Sequence, residues 1–242
     1  MTGMNQPSMV VFDLDDTLYE YEPCEAAGRQ ALFRFACDNL GLQPPAFEEA
    51  YDQARLNVKH RLGATASSHS RLLYCHEALE LLGLHSDPNA ALVMEQEYWR
   101  TYLLEMQLRP GAVELLQSLR YNDVTTAVVT DLTAQIQFRK IDHLGIAKYV
   151  DHIVCSEETA GEKISLEPFR LLGSRVAPQA LDCVWFVGDK AFDAPVEELR
   201  AEGLIKDGHG FLHGLPSGPL TTSWRDIREI EACLDRSIEL AA

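Results

Sequence analysis

An α/β fold, a doubly wound parallel sheet with one all-helical insertion, is predicted by the order of apolar runs along the chain. Three observations predict it. Short β-rich runs recur at Met9–Phe12, Val124–Val129, Val150–Cys155 and Cys183–Val187. Helix-period stretches separate the later runs, and alternation of this kind reads as a sheet covered on both faces. Between the first run and the second, from Tyr19 to about Met106, no convincing strand occurs.

The elements follow in order. Met9-Val10-Val11-Phe12 is a short apolar run that ends in acids, as a buried parallel strand does. The insertion carries at least four helical stretches, split by Gly41–Pro45, Gly63–Ser68 and Gly83–Pro88. In its last stretch Val93, Tyr98, Tyr102 and Met106 are expected to share a buried face. After Pro110-Gly111, Ala112–Leu119 places Val113, Leu116 and Leu119 on one face. Further helices are expected at Ala134–Leu144, Pro168–Val176 and Ala194–Ala201. Asp207–Ser223, rich in Gly, Pro, Ser and His, is expected to be a loop before a last helix near Trp224–Leu234. The expected division is therefore a sheet core of residues 1–18 and 107–242 and a helical insertion of residues 19–106.

The 242 residues carry 46% hydrophobic and 24% charged side chains, an ordinary globular balance. The formal charge of −16 argues against nucleic-acid and anionic-membrane partners, because such a surface repels polyanions. No apolar stretch approaches the ~20 residues of a membrane helix, and Met1–Met9 lacks the pattern of a secretory signal. The expectation is a cytoplasmic protein with no membrane partner. None of the six cysteines stands at C-x-x-C spacing, so reduced thiols are expected rather than a zinc or redox pair.

The chemistry gathers at strand ends. Asp13-Leu14-Asp15-Asp16-Thr17 follows the first strand, where ligands bind in open α/β sheets. Its bland alternative is an acidic turn that caps the next segment. Val187-Gly188-Asp189 ends another strand with Asp193 four residues on, and a helix N-cap is the competing reading. Three or more carboxylates in one crevice call for a hard cation, and oxygen ligands suit Mg²⁺.

In these motifs the chain resembles the haloacid dehalogenase superfamily. Asp13-x-Asp15-x-Thr17 is similar to its first motif, Thr130 at a strand end to its second, Lys163 to its third, and Gly188-Asp189 with Asp193 to its fourth. Arg109-Pro110-Gly111 resembles the re-entry from cap to core. The resemblance implies a Rossmann-like core and a helical cap, and a Mg²⁺-dependent phosphatase acting on a small phosphorylated metabolite, a nucleoside monophosphate or a sugar phosphate. It implies Asp13 as nucleophile forming an aspartyl-phosphate, and Asp15 as general acid and base. It also implies Mg²⁺ held by Asp13, the Asp15 carbonyl, Asp189 and Asp193, with Thr130 and Lys163 on the phosphoryl oxygens. A phosphomutase and a non-catalytic binding protein on the same scaffold are the alternatives.

Three positions depart from the pattern: Asp131 after Thr130, Ile164-Ser165-Leu166 after Lys163, and Lys190 after Asp189. Asp131 is expected to point away from phosphate or to be neutralised by Lys190 or Arg139. In the insertion, Arg55, Lys59, His60, Arg61 and Arg71 are either a solvated face or a reach toward an anionic substrate. His209 and His213 are expected on a flexible surface loop.

Overall fold

A computed structural model describes residues 4–241 and divides the chain into two compact units, Met1–Glu20 with Gln107–Ala242, and Tyr21–Met106. Tyr19 and Glu20 therefore belong with the sheet unit, two residues beyond the boundary expected from sequence. No helix among the described residues is long and apolar enough to cross a membrane.

The chain enters the sheet unit once, with β1 (Met9–Phe12), before the helical unit interrupts it. That unit contains α1 (Tyr21–Leu40), α2 (Pro44–Leu62), α3 (Arg71–Leu81) and α4 (Pro88–Glu105). Its punctuation follows the sequence. Asp87 caps α4 by accepting the Ala90 N–H at 3.0 Å, with Pro88 at the first turn, and Ser70 caps α3 through Leu73 N–H at 3.3 Å. In α1 the buried residues Cys24, Gly28, Leu32 and Ala36 repeat every fourth position, one stripe along the helix. Gly28 lets α4 approach, because a Cβ there would come within 2.7 Å of the Tyr98 ring. On α4 the buried face is Ala90, Ala91, Met94, Tyr98, Trp99 and Tyr102. Val93 is exposed, contrary to the expected face, since it stands one position from the stripe that Met94 and Tyr98 share.

The sheet unit resumes with α5 (Ala112–Tyr121), β2 (Thr125–Thr130), α6 (Ala134–His143) and β3 (His152–Cys155). It continues through α7 (Glu167–Arg175), β4 (Cys183–Gly188), α8 (Val196–Ala201), β5 (Asp207–His213), β6 (Thr221–Trp224) and α9 (Arg228–Ala241). All strand pairs are parallel, in the order β3-β2-β1-β4-β5-β6. The chain winds outward from β1 to β3, then returns to the other side of β1 for β4. That reversal makes the gap between β1 and β4 the switch point, with a crevice at the carboxyl ends of the strands. Met9, Val11, Val129, Val184 and Phe186 are core residues, and Phe169 and Leu172 of α7 pack against them. Burial of that apolar surface is the main force holding the layers together, at ~25 cal/mol per Å².

The segment Asp207–Ser223 is not a loop. It holds β5 and most of β6, and Trp224 ends β6 rather than starting the last helix, which begins at Arg228. The glycines of β5 hide it in the sequence. A Cβ on Gly208 would lie 2.7 Å from the Val184 carbonyl, and one on Gly210 would lie 2.6 Å from the Ala194 Cβ. Glycine thus serves close packing here, at the expense of the apolar alternation that marks a strand. His209 and His213 lie in β5, where His209 shares a 2.8 Å hydrogen bond with Thr222. The third strand starts at His152, two residues later than expected.

Candidate active site

Strand register assembles the site. Phe12 pairs with Val128 on one side and Val187 on the other, so Asp13, Thr130 and Gly188-Asp189 emerge side by side. The Asp13 N–H donates to the Val187 carbonyl at 2.8 Å, carrying the pairing one residue past the strand. Gly188 must be glycine, because any Cβ there would collide with the Asp193 side chain.

Asp13 is buried and held from two sides. Lys163 Nζ donates to Oδ1 at 2.5 Å and the Thr17 hydroxyl donates to Oδ2 at 3.0 Å. Lys163 also donates to Asp193 Oδ1 at 2.5 Å. Asp193 Oδ2 in turn accepts the N–H groups of Asp189 and Lys190, at 3.1 and 2.8 Å. Lys190 pairs with Asp189. Burial, with Asp193 and Asp15 nearby, pushes the Asp13 carboxyl well up against the opposing pull of Lys163. Burial likewise raises Asp189, against Lys190. For Lys163, burial works to lower the ammonium, but Asp13, Asp193 and Asp131 outweigh it and the group is raised.

Asp13, Asp189 and Asp193 each place a carboxylate oxygen within 4.8 Å of the others. Three carboxylates share two ammonium groups, Lys163 and Lys190, so negative charge is in excess. An all-oxygen, buried, over-charged donor set fits a hard divalent cation such as Mg²⁺. The side chain of Asp15 lies outside that set and turns elsewhere. Its Oδ1 accepts Lys140 Nζ at 2.6 Å and the Tyr19 hydroxyl, and its Oδ2 accepts Gln137 Nε2 at 3.2 Å. Burial alone would raise Asp15; Lys140 and the three hydrogen bonds outweigh it and lower the group.

Thr130 is buried at the end of β2, and its Oγ1 accepts Gln137 Nε2 at 2.5 Å, which frees the hydroxyl proton for another acceptor. Asp131 is neutralised by neither Lys190 nor Arg139. Lys190 is engaged with Asp189, and Arg139 is exposed. Instead Asp131 Oδ1 accepts the backbone N–H of Lys163 at 3.0 Å, and burial raises its carboxyl. Lys163–Ser165 forms a 3₁₀ turn ended by Leu166 at φ 64°, a left-handed conformation that is uncommon for leucine. That turn aims the Lys163 side chain inward and its N–H at Asp131.

Sequence reasoning missed Lys140, Gln137 and Tyr19. A signal was present for two of them. Gln137, Lys140, Ile141 and Leu144 fall on one stripe of α6, so polar residues occupy apolar-face positions, and both are fully buried. In the helical unit, Arg71 is not a solvated cation. It is buried and donates to Glu25 at 3.0 Å, to the Tyr21 and Tyr98 hydroxyls, and to the His69 carbonyl. Arg61 lies exposed against Glu77 at 2.7 Å.

The chain belongs to the haloacid dehalogenase-like hydrolases, whose family model matches residues 7–196. It is 41% identical over 197 residues to the ribulose-1,5-bisphosphate 5-phosphatase of Halopiger xanaduensis, covering 81% of each chain. It is 26% identical over 196 residues to the glyceraldehyde 3-phosphate phosphatase of Methanopyrus kandleri, again covering 81% of each. Among solved structures, the HAD-hydrolase YfnB of Bacillus subtilis bound to magnesium shares the fold with a TM-score of 0.68 at 19% identity, covering 96% of this chain and 99% of that one.

Proposed function

We propose that the enzyme is a Mg²⁺-dependent phosphatase that hydrolyses a small sugar phosphate through an aspartyl-phosphate on Asp13. The observation that carries this reading is the buried cluster of Asp13, Asp189, Asp193 and Lys163 at the switch point. The activities for which the similar proteins are named, on ribulose bisphosphate and glyceraldehyde phosphate, favour a sugar phosphate over a nucleoside monophosphate.

Thr17 and Lys163 fix both oxygens of Asp13, leaving a lone pair of the carboxylate to attack phosphorus in line. Lys163 and the free proton of Thr130 meet the equatorial phosphoryl oxygens, where negative charge must be balanced as the transferring group passes between oxygens. Asp15 protonates the departing oxygen and afterwards takes a proton from the attacking water. Asp13, Asp189, Asp193 and the Asp15 carbonyl would hold Mg²⁺, which supplies positive charge that lets a dianionic phosphate enter an acidic site. The helical insertion is the candidate source of substrate selectivity, as a cap.

The test is phosphate release from ribulose 1,5-bisphosphate, glyceraldehyde 3-phosphate, phosphoglycolate and a nucleoside monophosphate, each with Mg²⁺ and with chelator. The expected result is Mg²⁺-dependent turnover that favours a sugar phosphate. Equal turnover in chelator would remove the metal from the mechanism, and preference for the nucleotide would overturn the substrate class.

A further inference from the structure

Asp15 accepts from three side chains, more than any other carboxylate of the site; Asp193 also has three donors, but two of them are backbone N–H groups. A carboxylate offers about four acceptor positions, two on each oxygen. Lys140 and Tyr19 occupy both on Oδ1, and Gln137 occupies one on Oδ2. A single position therefore stays open, on Oδ2. Gln137 and Lys140 stand three residues apart on α6, one face of one turn, so a single rigid element delivers both donors. The two protons of Gln137 Nε2 are shared among Asp15 Oδ2 at 3.2 Å, Thr130 Oγ1 at 2.5 Å and the Asp131 carbonyl at 3.0 Å, which links the Asp15 carboxyl to the end of β2.

We propose that Lys140, with Tyr19 and Gln137, is a positioning residue that presents one oxygen of Asp15, Oδ2, to the leaving group. The role rests on Asp15 being the proton donor of the proposed phosphatase reaction. In the first step an Asp13 oxygen bonds to phosphorus as the bond from phosphorus to the leaving oxygen breaks. The electron pair departs with that oxygen, which takes the proton carried on Asp15 Oδ2. In the second step water oxygen bonds to phosphorus, its proton returns to Oδ2, and the Asp13–phosphorus bond breaks to release phosphate. Oδ1 accepts from Lys140 and Tyr19 whether or not Oδ2 carries a proton, so the orientation is the same in both halves, and the neighbouring ammonium favours the ionised form that takes up the proton of water. Stability alone does not call for a lysine here, since buried ion pairs are often replaced by apolar side chains without loss.

Leaving-group dependence separates positioning from a structural ion pair. Phenyl phosphate needs its leaving oxygen protonated far more than 4-nitrophenyl phosphate, whose phenolate leaves unaided. With Lys140→Met, kcat/KM, which reports the step that expels the leaving group, should fall about a hundredfold on phenyl phosphate and only a few-fold on 4-nitrophenyl phosphate. Tyr19→Phe, which removes one hydroxyl and keeps the ring, should give the same pattern more weakly and decides the matter if Lys140→Met does not fold. Equal losses on both substrates, or no loss on either, would overturn the proposal. Asp15→Asn is the reference. A leaving-group-dependent loss there but not in the clamp variants rejects positioning alone. Its absence in Asp15→Asn rejects the acid–base reading and the positioning role with it.

Discussion

Each unit buries charge, and the two do it differently. In the helical unit one guanidinium, Arg71, meets one carboxylate, Glu25, and the Tyr21 and Tyr98 hydroxyls complete the hydrogen bonding. Charge is balanced, and Glu25 is held low: burial opposes this, but Arg71 and the tyrosines outweigh it. In the sheet unit Asp13, Asp189 and Asp193 crowd around two lysines, and burial pushes Asp13 and Asp189 up. A balanced cluster is complete within the chain. An over-charged one has capacity left for a cation and a phosphate, and that remaining capacity marks the site as functional.

The largest expected effect breaks the two apart by activity. Asp13→Asn is nearly isosteric and removes the proposed nucleophile, so phosphate release should fall by at least ~10³-fold. Because it also removes one charge from an over-charged cluster, urea denaturation should find the fold unchanged or stabler by ~1 kcal/mol. Residual activity near the parent level would refute the nucleophile assignment. A loss of several kcal/mol of stability would refute the picture of excess charge.

The same carboxylate-to-amide change in the helical unit should have the opposite sign. Glu25→Gln leaves a buried Arg71 without its counter-charge and should cost about 3 kcal/mol. Its pH dependence sharpens the contrast. A carboxyl held below its ordinary 4.5 contributes stability above that value and loses it as pH falls through the depressed folded value. The gap between parent and Glu25→Gln, measured by denaturation, should therefore be full at pH 7 and shrink below about pH 4.5. Asp13 and Asp189, raised by burial, work the other way, and acidification relieves them. A gap that stayed constant down to pH 3 would show that Glu25 contributes shape rather than charge.

Much of this contrast is legible in the sequence, and the limits have physical causes. Asp13, Thr130 and Asp189 stand at strand ends, where position follows from strand order, so their convergence can be read from the chain, whereas Lys163 and Asp193 reach the same crevice from 3₁₀ turns beyond β3 and β4. Lys140 and Gln137 reach Asp15 from 125 and 122 positions away, and a polar residue on an apolar stripe does not name its partner, whereas Tyr19 stands four residues from Asp15 but carries no signal of where its hydroxyl turns. Arg71 escapes for a related reason: composition gives a cation, whereas burial depends on the packing of α1 against α4 that Gly28 permits. The strands β5 and β6 escape because glycine and threonine replace the expected apolar alternation.

The smallest expected effect asks how far the excess of charge extends. Asp131 is a third carboxylate near Lys163, after Asp13 and Asp193, and a full charge about 6 Å from phosphate would repel it by roughly 3 kcal/mol at an effective dielectric of ~20. That would weaken phosphate binding about a hundredfold. The geometry argues against so large a penalty. Asp131 Oδ1 is engaged by the Lys163 N–H, burial favours its neutral form, and the ammonium of Lys163 offsets the charge that remains. An asparagine places an equivalent oxygen for the same N–H, so the 3₁₀ turn that aims Lys163 should survive. Asp131→Asn should accordingly change KM by no more than about threefold. A tenfold or greater fall in KM would place Asp131 inside the over-charged cluster, and a collapse of kcat would instead make its carboxylate necessary for holding Lys163.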